Sequence, residues 1–153
     1  MFKIPINDSE IRILDLGCGD KRLSKLYPNK QIVTIDAFPE CHPDYLLDIG
    51  KQLLPFEDKS FDVVIMSDVL EHMSRIHAAY ALCEAQRVTK VRLIVITPTK
   101  WDLNNKYFNS KKYPEYYQNR YNLHRSLWSI VDFPNWKIVM NNSKYLWVEW
   151  SPK

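Results

Sequence analysis

Residues 11–20, Ile11-Arg12-Ile13-Leu14-Asp15-Leu16-Gly17-Cys18-Gly19-Asp20, decide the fold. The apolar run Ile11 to Leu14 delivers the chain to Asp15 and then to Gly17-x-Gly19. That is the arrangement that lets backbone approach a ligand where a strand hands over to a helix. In open α/β sheets, ligands bind at such carboxyl ends. The third glycine of the dinucleotide fingerprint is replaced by Arg22, so the two glycines fit a tight turn as readily as a binding loop.

Three further short runs rich in Ile and Val follow: Ile32 to Ile35, Val63 to Met66 and Leu93 to Ile96. Continuous branched runs of this length belong to strands buried on both faces of a parallel sheet, and parallel strands need crossovers. Lys21 to Leu26 supplies one or two helical turns before Pro28 and Asn29 stop it. Ile76, Ala79, Tyr80 and Cys83, at i, i+3, i+4 and i+7, predict an amphipathic helix capped by Ser74. The stretch Ala37 to Asp44, broken by Pro39 and Pro43, has no room for a full helix. Tyr45 to Leu47 predicts a brief third strand, followed by a loop from Asp48 to Ser60. Asn141-Asn142-Ser143-Lys144 joins Trp136–Met140 to Tyr145–Trp150 as an antiparallel hairpin. A helix is predicted near Ser126 to Val131. The fold class is therefore α/β: a Rossmann-like doubly wound sheet, mostly parallel, with one antiparallel strand near the C-terminus and a reduced set of flanking helices.

At 153 residues and 46% hydrophobic, the chain suits a single domain over 1–153, with an aromatic and basic insertion at about 98–135. It contains no apolar stretch of ~18 to 20 residues and no signal-peptide pattern, so the expectation is a cytoplasmic protein without a membrane partner. The three cysteines, Cys18, Cys41 and Cys83, are odd in number and widely spaced, which reads as reduced thiols. Cys41-His42 has no second ligand pair nearby, and no metal is expected.

Asp36 ends the second apolar run about 20 residues after the first glycine, where an acid can bind ribose hydroxyls. With Asp15, Asp20 and Asp48 it crowds the carboxyl edge of the sheet with negative charge. Such a site repels a pyrophosphate and attracts a cation. S-adenosylmethionine carries both a sulfonium and an ammonium.

On these residues, Ile13-Leu14-Asp15-Leu16-Gly17-Cys18-Gly19 resembles motif I of the class I S-adenosylmethionine-dependent methyltransferases. Asp36 matches that family's ribose-binding acid. The resemblance spans roughly residues 11 to 97, and the closing hairpin fits the family's reversed last strand. It departs from the pattern at Lys21, where the family often has a third glycine. It implies that S-adenosylmethionine is held by Asp15, Leu16, Gly17, Cys18, Gly19, Asp36 and Ala37. Asp48 and Ile49 would lie beside the adenine, and Ser67-Asp68-Val69-Leu70-Glu71-His72 resembles the post-strand motif that covers the cofactor, with Ser67, Asp68 and Val69 as its cofactor-binding residues.

Methyl transfer needs a nucleophile aligned with the sulfonium methyl, and a base helps when the acceptor is a hydroxyl or protonated amine. His72, just beyond the fourth strand, and His124 are the candidate catalytic residues; each could equally serve only to hold a loop. From Thr97 to Arg125 six basic residues (Lys100, Lys106, Lys111, Lys112, Arg120 and Arg125) face two acids, Asp102 and Glu115. They interleave with Trp101, Tyr107, Phe108, Tyr113, Tyr116, Tyr117 and Tyr121, a mixture suited to phosphates and stacked rings, or to packing against the sheet. The expected acceptor is a small molecule or a nucleotide-like compound. A nucleic-acid substrate, or a catalytically degenerate cofactor-binding domain acting as a partner subunit, are the alternatives.

Overall fold

The structure, a computed structural model, describes residues 3–101 and 119–153. Seven strands form one sheet: β1 (Arg12–Leu16), β2 (Gln31–Asp36), β3 (Tyr45–Leu46), β4 (Phe61–Ser67), β5 (Thr89–Pro98), β6 (Lys137–Asn141) and β7 (Tyr145–Trp150). Their order is β3-β2-β1-β4-β5-β7-β6. β1 to β5 pair in parallel, whereas β7 is antiparallel to both β5 and β6. One strand therefore runs against the other six, as the hairpin predicts.

The branched runs lie where burial on both faces demands them. Ile13, Leu14, Val63, Val64, Leu93 and Ile94 are all fully buried, alternate residues feeding cores on opposite faces of the sheet. One core takes Leu14, Val64 and Leu93 together with the long helix, and the other takes Ile13, Val63 and Ile94 with Ile4 and Leu23.

Among the described residues the helices are few, as expected. α1 (Arg22–Leu26) has five residues, and only a 3-10 turn at Pro39–Cys41 stands between β2 and β3. α2 (Arg75–Val88) starts at Ser74, whose side chain accepts from the His77 amide. Its buried face differs from the predicted one. Ala78, Ala81, Ala85 and Val88 pack on the sheet, while Ile76 is 81% exposed and Ala79, Tyr80 and Cys83 also face outward. Small alanines let the helix approach the sheet closely, and a count of bulky apolar positions overlooks them. Glu84 also lies on the buried side, where Arg87 grips its carboxylate and reaches the Leu54 and Phe56 carbonyls.

The helix predicted at Ser126 to Val131 is instead an extended segment ending in one 3-10 turn, Ile130–Asp132. The groups that a helix would use are committed elsewhere. The Arg125 and Ser126 amides both donate to the Glu71 carbonyl at 2.6 and 3.1 Å, and Ser126 Oγ donates to Leu70 O. Ser129 and Asp132 close the turn as a capping box.

Candidate functional site

A cavity of about 1190 Å³ opens along the carboxyl ends of β1, β2, β4 and β5. It exceeds the ~300–1,000 Å³ of common small-molecule sites. The turn after β1 forms its floor. The Gly17 and Cys18 amides donate to the Ile35 carbonyl at 2.8 and 3.0 Å, which folds the turn back over β2. Gly17 has φ +75° and a side chain there would meet Val69 Cγ2 at 2.4 Å, so both the conformation and the space demand glycine. Gly19 has φ +49° and donates its amide to Asp36 Oδ2 at 2.9 Å, while Asp36 Oδ1 accepts from the Phe38 amide.

The four carboxylates named from the sequence, Asp15, Asp20, Asp36 and Asp48, all line this cavity. Burial, then the neighbouring charges of Asp36 and Asp20, push the Asp15 carboxyl up from its ordinary 3.8 to about 7. The same surroundings act on the thiols: burial and Asp36 raise Cys18 to about 12 and Cys41 to about 11. Both remain protonated and unreactive at neutral pH. Lys21 and Lys25 approach Asp44 and Asp20 at 3.9 and 3.6 Å on the exposed rim. Asp48 is engaged within its own turn, with Gly50 N on Oδ1 and Lys51 Nζ on Oδ2 at 2.7 Å. Each of its oxygens keeps a second lone pair for a ligand.

Gly17, Cys18, Gly19, Ala37, Ile49, Ser67, Asp68 and Val69 line the cavity as well. Leu16 is not among the lining residues, and its side chain is fully buried in the core. Asp68 turns the chain after β4 with φ 55°, a left-handed conformation that places Val69 over Gly17.

At the other end of the cavity His72 and His124 come together edge to face, with ring centroids 5.0 Å apart. His72 lies in a 3-10 turn, Leu70–His72, directly after β4, and His124 lies in the extended segment bound to that turn through the Glu71 carbonyl. Glu71 stands beside them, part of the Ser67-to-His72 motif in the sequence but given no role of its own there. It is 1% exposed, its Oε2 accepts from Thr97 Oγ1 at 3.1 Å, and its Oε1 stands 3.8 Å from His72 Nε2. Adjacency to His72 was the available signal. Asn119, Tyr121, Asn122 and Tyr145 complete this end. Tyr145 had no local signal at all: it opens the reversed strand β7, and so arrives opposite Pro98 at the edge where the parallel strands end. Of the predicted basic and aromatic segment, Lys106, Tyr107, Phe108, Lys111, Lys112, Tyr113, Tyr116 and Tyr117, with Asp102 and Glu115, lie outside the described residues. Trp101 faces His124 with ring centroids 6.5 Å apart, and Arg125 is exposed.

A sheet of order 3-2-1-4-5-7-6 with a glycine turn after β1 and an acid ending β2 defines a Rossmann-like, cofactor-binding α/β domain. Residues 14–96 match the family model described as a methyltransferase domain, and the chain belongs to that family. The family's cofactor is S-adenosylmethionine. An uncharacterized protein of Methanocaldococcus jannaschii is 31% identical over 149 residues, covering 91% of this chain; the chain spans 60% of that relative's length. Among solved structures, the PH0226 protein of Pyrococcus horikoshii superposes with a TM-score of 0.65 at 17% identity, covering 95% of this chain and 84% of that one. A SAM-dependent methyltransferase of Archaeoglobus fulgidus gives 0.65 at 12% identity, covering 93% and 86%. Among the described residues no helix is long and apolar enough to cross a membrane.

Proposed function

We propose that this protein transfers the methyl group of S-adenosylmethionine to a small-molecule or nucleotide-like acceptor. One observation carries the reading: a single cavity has aspartates around a glycine turn at one end and Glu71, His72 and His124 at the other. The acidic end suits the cationic cofactor. Asp36, held by the Gly19 and Phe38 amides, would receive the ribose hydroxyls, and Asp48 with Ile49 would flank the adenine. Asp15, Gly17, Cys18, Gly19 and Ala37 would border the rest of the cofactor, with Leu16 contributing backbone alone, and Ser67, Asp68 and Val69 would cover it.

The second end is where the acceptor would sit, and His72 and His124 are the groups placed to bind it and take up its proton. Catalysis then rests on alignment of the nucleophile with the sulfonium and on exclusion of water.

Calorimetry with S-adenosylmethionine and its demethylated product tests the cofactor half. Both should bind, and Asp36→Ala should weaken binding at least tenfold while leaving the circular dichroism spectrum unchanged. A wild-type protein that binds neither compound overturns the reading. Turnover with pools of hydroxyl- and amine-bearing acceptors then tests the second half.

A further inference from the structure

Glu71, His72 and His124 each offer one donor atom, and the three atoms lie within 4.8 Å of one another. We infer that these residues form a binding site for a divalent transition-metal ion at the acceptor end of the cavity. The inference extends the methyltransferase reading, and only its acceptor chemistry rests on that reading.

Two imidazole nitrogens and one carboxylate oxygen are the donor set of open transition-metal sites, which leave further positions for water or substrate. With bonds of ~2.0–2.2 Å, neighbouring donors around a cation stand about 3–3.5 Å apart. The present spacing therefore closes onto an ion through modest side-chain rotations. All-oxygen ions such as Mg²⁺ and Ca²⁺ fit this donor set less well than Zn²⁺, Mn²⁺, Co²⁺ or Fe²⁺.

The surroundings are organised as ligand surroundings are. Thr97 Oγ1 donates to Glu71 Oε2, orienting the carboxylate so that Oε1 is the oxygen nearer His72. His124 reaches the site from a segment some fifty residues away. That segment is pinned to the Glu71 turn by the Arg125 and Ser126 amides and by Ser126 Oγ on Leu70 O. Three backbone-anchored bonds thus fix the separation of the two halves of the site. Glu71 is 1% exposed, so its carboxylate is held in place by the packing around it.

The ion would select an acceptor with an oxygen donor. With the ion bound, His72 and His124 serve as its ligands in place of the base role proposed for the metal-free site, and an acceptor hydroxyl on the ion loses its proton to water. Its oxygen lone pair then forms the O–CH₃ bond as the S–CH₃ bond breaks. The bonding pair returns to sulfur, leaving a neutral thioether, so charge and atoms balance.

The test begins with metal-stripped wild-type protein titrated with Co²⁺, read by visible absorption, and with Zn²⁺, read by calorimetry. The expected result is one ion per chain, micromolar or tighter, with the d–d bands of nitrogen and oxygen ligation. Glu71→Gln and His124→Asn should each weaken binding at least tenfold, while calorimetric affinity for S-adenosylmethionine stays within about twofold. Absence of one-to-one binding by the wild-type protein overturns the metal site whatever the cofactor does. Binding of the metal without binding of the cofactor leaves the metal site standing and overturns the methyltransferase reading. If both bind and an oxygen acceptor is found, a chelator should abolish turnover. Turnover unaffected by chelation would overturn the ion's part in the methyl transfer.

Discussion

Asp15 sits at the point where stability and ligand binding pull in opposite directions. Its carboxyl titrates near 7 because burial and then Asp36 and Asp20 disfavour its charge. An acid whose native pKa is raised contributes most below its unfolded value and loses that contribution as pH climbs through the native one. A rise from 3.8 to about 7 amounts to roughly 4 kcal/mol of native-state penalty above neutrality. The ligand-free protein should therefore lose stability between pH 4 and 7 on account of this residue. Asp15→Asn should raise the thermal midpoint at pH 8 by several degrees, measured by scanning calorimetry. A cationic cofactor favours the ionised form, so its affinity should fall by up to about tenfold per pH unit below 7 in the wild type and flatten in Asp15→Asn. A pH-independent wild-type affinity would contradict this account. Two of the chain's three glycines stand two and four residues further on, and the Val69 methyl 2.4 Å from any Cβ at Gly17 explains why that turn has no alternative residue. Lys21, where a third glycine is common in the family, adopts φ 55° all the same, at a cost of about 1–2 kcal/mol.

At the scale of elements, what could be read from sequence followed how strongly each pattern constrains the chain. Branched runs bounded by Gly, Pro and Asn located every long strand within a few residues, because burial on both faces leaves few other options. The Ser74 cap was equally legible. The face of α2 was not, since Ala78, Ala81 and Ala85 carry too little apolar surface to dominate a periodicity that Ile76 and Tyr80 also satisfy. The measurable consequence is an inverted sensitivity to substitution. Ile76→Gln should change unfolding free energy by no more than ~0.5 kcal/mol, as surface changes do. Ala85→Leu, overpacking the sheet, should cost about 1–3 kcal/mol in urea denaturation. The predicted helix at Ser126 to Val131 failed for a different reason. Its amides and hydroxyl bond to the Glu71 turn some fifty residues away, and no local pattern announces such a partner.

For the molecule as a whole, the aspartate-lined end of the cavity was legible because its residues sit at the ends of successive strands, a position that sequence alone can assign. The end bearing Glu71 was legible in His72, His124 and Tyr121, each named from the sequence. Glu71, Asn119 and Tyr145 converge there through tertiary contacts, the last because a reversed strand starts where its neighbours finish. That strand also has a kinetic meaning. Within the sheet β6 is bonded only to β7, yet it precedes β7 in the chain, and β7 in turn docks on β5 about fifty residues earlier. On the ribosome β6 emerges with nothing to join, while β1, β4 and β5 can already associate. Hydrogen exchange should accordingly show Lys137–Asn141 amides opening well before those of Val63–Met66, and a folding experiment should find protection at β6 arriving last. Assembly of this sheet thus proceeds from its middle outward, with its final seam closed by the strand that runs the wrong way.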